Sequence, residues 1–300
     1  MRAVNLTRLA IAVIAGIVVA CAGKPPGGPV ATNASVLLVT IDTLRADRVS
    51  SAGLGAGGRS MTPEIDALAA SGVRFTAARA NAPLTLPSHV TIMTGALPPA
   101  HGVRENGSRF DGSRAALAGL LDKRGYRTGA FVGAFVLDAS FGLNGGFDVY
   151  DDRIPRDSDA PSALEAERPA RAVVDAALAW LVAPSDRSQP FFLWAHLYDP
   201  HAPYAPPTEY ATRAGGRAYE GEIAYADAEL GRLMRAARER TIGSALVVAV
   251  AGDHGESLGD HGEPTHGMLV YDSALRVPLV VSASHAKPMR GCQLLLSSLG

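Results

Sequence analysis

Five short apolar runs recur along the chain: "SVLLVTI" (35–41), "GAFVGAFV" (129–136), "FFLWAHL" (191–197), "ALVVAVAG" (245–252) and "RVPLVVS" (276–282). Rich in β-branched residues, they read as strands buried on both faces. Between them lie segments of helical pattern: "TPEIDALAASG", with Thr62 as cap and Pro63 at the first helical position, "SRAALAGLLDKRG", "ALEAERPARAVVDAALAWLVA" and "YEGEIAYADAELGRLMRAARER". Strands alternating with helices predict an α/β fold with a mainly parallel sheet covered on both faces. At 300 residues, 47% of them hydrophobic, the chain is long enough to bury a full core, as one large domain or two smaller ones.

Polar residues follow the strands. Asp42 comes after the first, His196, Asp199 and His201 close or follow "FFLWA", and Asp253 and His254 follow "ALVVAVAG". Ligands of open α/β sheets bind beyond the carboxyl ends of the strands, so these distant segments are expected to converge on one crevice. Asp42 alone equally suits a turn or a helix cap. The stretch "AGDHGESLGDHGEPTHG" carries more weight. It sets Asp253, His254, His261 and His266 among glycines that let the backbone approach a ligand, and carboxylates with imidazoles suit zinc, manganese or a similar divalent ion. The formal net charge of −1 offers no basic field, which argues against nucleic acid as a partner. An anionic substrate must then be held locally.

In "NAPLTLPSHVTIMTG" (81–95) a threonine precedes a turn and a short helix. Thr85 is a helix cap or a nucleophile. Helical residues after Pro87 are expected to direct free N–H groups at the space around its hydroxyl, a setting that favours an anion. A divalent ion held by Asp42, Asp253 and His254 lowers the pKa of such a hydroxyl.

The chain opens with Arg2 and Arg8 ahead of an uncharged apolar run over 9–20, the length of a signal-peptide core. Val18-Val19-Ala20-Cys21 resembles the bacterial lipobox. The expectation is a lipoprotein signal peptide over 1–21 with Cys21 lipidated, a flexible tether over 22–34, and a lipid-anchored protein in the bacterial cell envelope, facing the periplasm or the exterior. An uncleaved anchor helix is the alternative. With Cys21 lipidated, Cys292 lacks a partner and no disulfide is expected.

Taken together, "VLLVTIDTLRAD", "TPEIDALAASGVRFTAARA", "LPSHVTIMTGALPPAHGV", "GYRTGAF", "HLYDPHAPY", "GDHGESLGDHG" and "RVPLVV" resemble, in order, the sulfatase family of the alkaline phosphatase superfamily. The resemblance runs from about residue 35 to 281. It implies an alkaline-phosphatase-like α/β/α sandwich with a mainly parallel central sheet and a metal-assisted, ester-cleaving site. The catalytic domain is expected over 35–282. The remainder, 283–300, does not resemble the family's continuation into a C-terminal subdomain, so a chain lacking that subdomain is expected.

Departures from the family pattern are specific. Sulfatases carry a Cys or Ser, converted to formylglycine, in a Cys/Ser-x-Pro-x-Arg motif, where this chain has Thr85-Leu86-Pro87-Ser88-His89. Paired Asp residues are replaced by Asp42-Thr43, and a Gly-Lys-x-His motif by Gly133-Ala134-Phe135-Val136, so two sulfate-contacting positions are lost. The threonine register is similar to nucleotide pyrophosphatases/phosphodiesterases and to phosphoglycerol transferases of the lipoteichoic-acid synthase type.

That similarity implies Thr85 as nucleophile, a metal at Asp42, Thr85, Asp253 and His254 (zinc, manganese or calcium), and Asn106 of "HGVREN" as a stabiliser of charge on a phosphoryl oxygen. For Asn106 a turn role stands equally open. His201 and His266 are assigned to substrate contact or leaving-group protonation first, and to a second metal with Asp199 second. His196 is read as a packed strand residue, and His89 and His101 as structural. The expected substrate is a small-molecule, glycan or lipid-head-group sulfate or phosphate ester. The threonine favours phosphoesters and phosphodiesters, while a transferase on the same site and an inactive binding lipoprotein remain alternatives.

Overall fold

A computed structural model describes residues 33–49, 60–155 and 166–284. The lipobox segment with Cys21, most of the tether and the tail from 285 onward, with Cys292, lie outside the described residues. The fold is a seven-stranded sheet in the order β2-β7-β6-β1-β5-β3-β4. Its strands are β1 (Ser35–Ile41), β2 (Val73–Phe75), β3 (Arg127–Val132), β4 (Val149–Asp151), β5 (Phe191–Leu197), β6 (Leu246–Gly252) and β7 (Leu279–Ala283). The pairs β6-β1, β1-β5, β5-β3 and β3-β4 are parallel, whereas β7 lies antiparallel between β6 and β2. The parallel centre is as expected. The antiparallel flank and the three-residue edges β2 and β4 were not, because so short a pairing leaves no pattern to read.

β1 and β5 are buried along their whole length, and their side chains alternate between two cores. Leu37, Val39 and Ile41 face α1 (Pro63–Ala70), while Val36 and Leu38 face α2 (Thr85–Thr94). The short helices α3 (Pro98–His101) and α4 (Leu117–Asp122) follow α2, and Ala118 and Leu121 of α4 join its core. α5 (Ala170–Val182) joins α1 on the first face. After α6 (Thr208–Arg213), the 23-residue α7 (Ala218–Arg240) packs against both α5 and α1, and α8 (Asp272–Leu275) precedes β7. Among the described residues no helix is long and apolar enough to cross a membrane.

The starts of two helices are set by identifiable groups. Among the described residues of the pattern over 163–183 the helix starts at Ala170, because Pro169 at the N-cap disfavours helical backbone at the residue before it. Thr62 does hold the N-cap position of α1, but its side chain makes no capping hydrogen bond. The amides of Glu64 and Ile65 donate instead to the Asp227 carboxylate of α7, at 3.0 and 2.9 Å. The cap thus also joins two helices.

Candidate active site

The three central strands, β5, β1 and β6, end side by side and deliver His196, Asp42 and Asp253 to one edge of the sheet. All three are buried to within about one per cent, as is His254. A ligand atom from each of Asp42, Asp253 and His254 lies within 4.8 Å of the others. His254 Nε2 stands 3.4 Å from Asp42 Oδ1 and 3.7 Å from Asp253 Oδ2. The His254 tautomer is fixed locally, since Nδ1–H donates to the Gly255 carbonyl at 3.0 Å and leaves Nε2 bare. Both oxygens of Asp42 and Oδ2 of Asp253 are buried without a hydrogen-bond donor.

Two buried carboxyl groups meet here, a costly arrangement for a protein interior. Burial alone raises the Asp42 carboxyl, but the imidazoles of His196, His254 and His201 outweigh it and hold the group well below the usual carboxylate range. Asp253 moves the other way, pushed far up by burial and then by the charge on Asp42. Burial, then the neighbouring His266, drives His254 down to about 3, so its imidazole is neutral. Orphaned carboxylate oxygens, a bare imidazole nitrogen and a hydroxyl are the donors a divalent ion binds, and the residues fit such an ion.

Thr85 Oγ1 lies 3.3 Å from His254 Nε2, at the rim of the same cluster. The hydroxyl sits on the first residue of α2, two positions earlier than expected. The expected fan of free amides is not formed: the Leu86 amide donates to Asn106 Oδ1 at 2.9 Å, Pro87 has none, and that of Ser88 donates to the Leu84 carbonyl. Asn106 is therefore a remote cap of α2, with only its NH2 end left as a donor to a substrate oxygen.

His201 and His266 also reach the site. His266 lies against His254, ring centroids 4.4 Å apart, and against His201 at 5.2 Å. Its Nδ1 donates to Glu256 Oε1 at 3.3 Å. Burial lowers the His266 pKa, but the hydrogen bond and charge of Glu256 more than offset it, and the net shift is upward. Tyr204 donates to the other Glu256 oxygen at 2.9 Å. Asp199, weighed for a second metal with these histidines, is turned away: its Oδ2 accepts from the Ala170 amide at 2.8 Å and caps α5. His261 lies on the surface, stacked on Tyr271.

The structure adds residues that sequence reasoning missed. Glu256 supports His266. Arg45 pins the loop after β6 to the loop after β1, donating to the Glu256 and Ser257 carbonyls and pairing with Asp47 and Asp260. The run "DTLRAD" carried the only sequence signal for it. His101, read as structural, bonds Thr91 Oγ1 at 3.1 Å. His89 packs on Trp194, donates from Nδ1 to the Thr85 carbonyl at 2.7 Å, and is kept neutral by burial, which lowers its pKa well below the usual value.

This arrangement can be set beside known proteins. The sulfatase family model matches residues 34–293. The chain belongs to the sulfatase family. Mouse steryl-sulfatase is 32% identical over 140 residues, covering 43% of this chain and 22% of that protein. An ulvan-active sulfatase of Formosa agariphila is 23% identical over 260 residues, covering 73% of the chain and 51% of that protein. The chain thus spans about half the length of that relative or less. Among solved structures, the phosphonate monoester hydrolase of Agrobacterium radiobacter superposes with a TM-score of 0.65 at 21% identity, over 83% of this chain and 68% of that one. As a member of the sulfatase family, the chain carries a sheet whose carboxyl edge presents the Asp42, Asp253 and His254 cluster beside Thr85.

Proposed function

We propose that this protein is a metal-dependent hydrolase of phosphoric or sulfuric esters, with Thr85 as nucleophile and a preference for phosphoesters and phosphodiesters. The observation that carries the reading is the approach of Thr85 Oγ1 to within 3.3 Å of His254 Nε2, beside both oxygens of Asp42 and Oδ2 of Asp253, which are buried without a donor. Asp42, Asp253, His254 and Thr85 would hold a divalent ion, which would supply the positive charge to lower the hydroxyl's pKa and neutralise the ester oxygens.

Thr85 Oγ, its proton released to solvent, attacks phosphorus in line and forms an O–P bond as the P–O bond to the leaving alcohol breaks. His266, held towards its protonated form by Glu256, donates a proton to that alcohol, with His201 alongside it. The Asn106 NH2 group donates to a non-bridging oxygen. Water then attacks the phosphothreonine, giving its hydroxyl to phosphorus and a proton to Thr85 Oγ, which releases phosphate from a monoester or a phosphomonoester from a diester. The loss of the formylglycine position is what favours phosphorus over sulfur, and a phosphonate monoester hydrolase of the same fold is in keeping with this. The lipobox around Cys21 supports an envelope-facing, lipid-anchored protein acting on small-molecule, glycan or lipid-head-group esters.

The test is metal content together with turnover of matched aryl phosphate, aryl phosphodiester and aryl sulfate esters, for wild type and Thr85→Ala. Phosphoester turnover that requires a bound ion and disappears in the variant is expected. Sulfate turnover that survives the substitution overturns the threonine mechanism.

A further inference from the structure

Six large apolar side chains are exposed among the described residues, and three of them, Met268, Val270 and Tyr271, fall within a span of four residues, at 86%, 71% and 48% exposure. The other three, Val149, Val182 and Ile242, lie singly on β4, at the end of α5 and in the turn after α7, as stray surface residues do. A clustered apolar patch of this kind marks a binding surface.

The patch is built into the loop between β6 and α8. Glu263, itself buried, accepts the Met268 and Leu269 amides on Oε1 at 2.8 and 3.2 Å and the Ser257 hydroxyl on Oε2 at 2.8 Å. The main chain here is drawn inward onto one carboxylate while the Met268 side chain stays in solvent. Tyr271 is held from its own side, as the N-cap residue of α8 with its ring stacked on His261 at a centroid separation of 3.7 Å. The exposure therefore belongs to a fixed loop.

At its other end the patch adjoins the reacting groups. Between His266 and Met268 stands Gly267, whose φ of +109° is closed to ordinary side chains. Chain neighbours aside, a Cβ added there would meet only Leu84 Cδ2, at 3.5 Å, and Leu84 directly precedes Thr85. Gly267 is thus a bare floor, bordered by Leu84, that joins His266 to the apolar side chains.

His266 gives its proton to the leaving alcohol in the mechanism above. The carbon skeleton of that alcohol is bonded to the oxygen that receives the proton, so it continues outward from His266. The open course past Gly267 brings it to Met268, Val270 and Tyr271. No lysine or arginine occurs from 241 to 275, so the loop lacks the basic residues that draw a protein to an anionic lipid surface.

We propose that Met268, Val270 and Tyr271 form the leaving-group subsite, and that the alcohol portion of the preferred ester is an apolar aryl or alkyl group. The inference rests on the reading of Thr85 and His266 as the reacting groups.

The test is kcat/KM of the full chain, supplied with zinc, on the phosphate monoesters of phenol, 4-butylphenol and 4-(3-hydroxypropyl)phenol, for wild type and Met268→Ser/Val270→Ser. These phenols differ little in acidity, so only the tail varies. Wild type is expected to favour the butyl ester about ten-fold over the other two, and the double variant to keep its turnover of phenyl phosphate with the preference reduced to about two-fold or less. Both substituted side chains are exposed, and an unchanged circular dichroism spectrum is expected. Equal turnover of the three esters by wild type overturns the proposal and leaves the hydrolase reading intact, as does a butyl preference that the variant keeps in full. Turnover of all three that rises together only with phosphatidylcholine vesicles also overturns it and assigns the loop to a lipid surface. Absence of turnover of every ester by wild type overturns both this proposal and the hydrolase reading.

Discussion

At the scale of single residues, the site depends on which lone pairs are left exposed. Replacing Thr85 by Ala removes one hydroxyl from a buried position at the start of α2. Phosphoester turnover is expected to fall at least about a thousand-fold, while unfolding free energy changes by less than about 1.5 kcal/mol. Steady-state kinetics and urea denaturation of the same preparation check both halves. Asp42, Asp253 and His254 were legible in the sequence because each immediately follows or closes on a buried apolar run. His196 was not distinguished from packing. Its contacts with Thr40 and Asp42 come from a neighbouring strand more than 150 positions away in sequence. No local pattern encodes that.

At the scale of elements, contacts from one element fix the start or the path of another. Asp227 of α7 caps α1, and Asp227→Ala is expected to cost about 1–3 kcal/mol in urea denaturation, the range for a lost cap with two amides left unpaired. Gly255 lies so close to α8 that an added Cβ would sit 2.0 Å from the Ser273 carbonyl oxygen. Gly255→Ala is therefore expected to displace the loop bearing His254, Glu256 and His266. Zinc affinity should drop about ten-fold while the far-ultraviolet circular dichroism is retained. The long strands and α7 were readable because their patterns persist over many residues. By contrast β2, β4 and the antiparallel β7 owe their places to pairing partners distant in the chain. The same holds for the start of α2. Its position decides which amides face Thr85, and Asn106 takes one of them from another segment.

At the scale of the whole molecule, charge and metal bear on stability. Removing the ion with a chelator exposes the unpartnered oxygens of Asp42 and Asp253 to each other, so the melting temperature is expected to fall and to recover when zinc is restored. Free ion at a hundred times its dissociation constant corresponds to about 2.7 kcal/mol of stabilisation, which differential scanning calorimetry resolves. A second dependence comes from Glu222 on α7, whose carboxyl is pushed up to about 8 by burial and by the charges of Asp199 and Glu167. In the folded chain it keeps its proton to higher pH than in the unfolded chain, where it titrates near 4.5. The stability it contributes is full below that value and is lost as pH rises through 8. Glu222→Gln is expected to flatten the decline of unfolding free energy between those limits.

The placement of the site across the sheet bears on how the protein is made. Thr85 and His254 stand 169 positions apart, and Asp42 leaves the ribosome long before either β6 or the loop behind it exists. The strand bearing Asp42 lies between two neighbours, β5 and β6, that are both synthesised later. A nascent chain therefore displays an isolated carboxylate and a hydroxyl with no shared pocket. Capture of an ion by the proposed site would be deferred until nearly the whole domain has been translated, and a bound ion would report that the last central strand has been inserted.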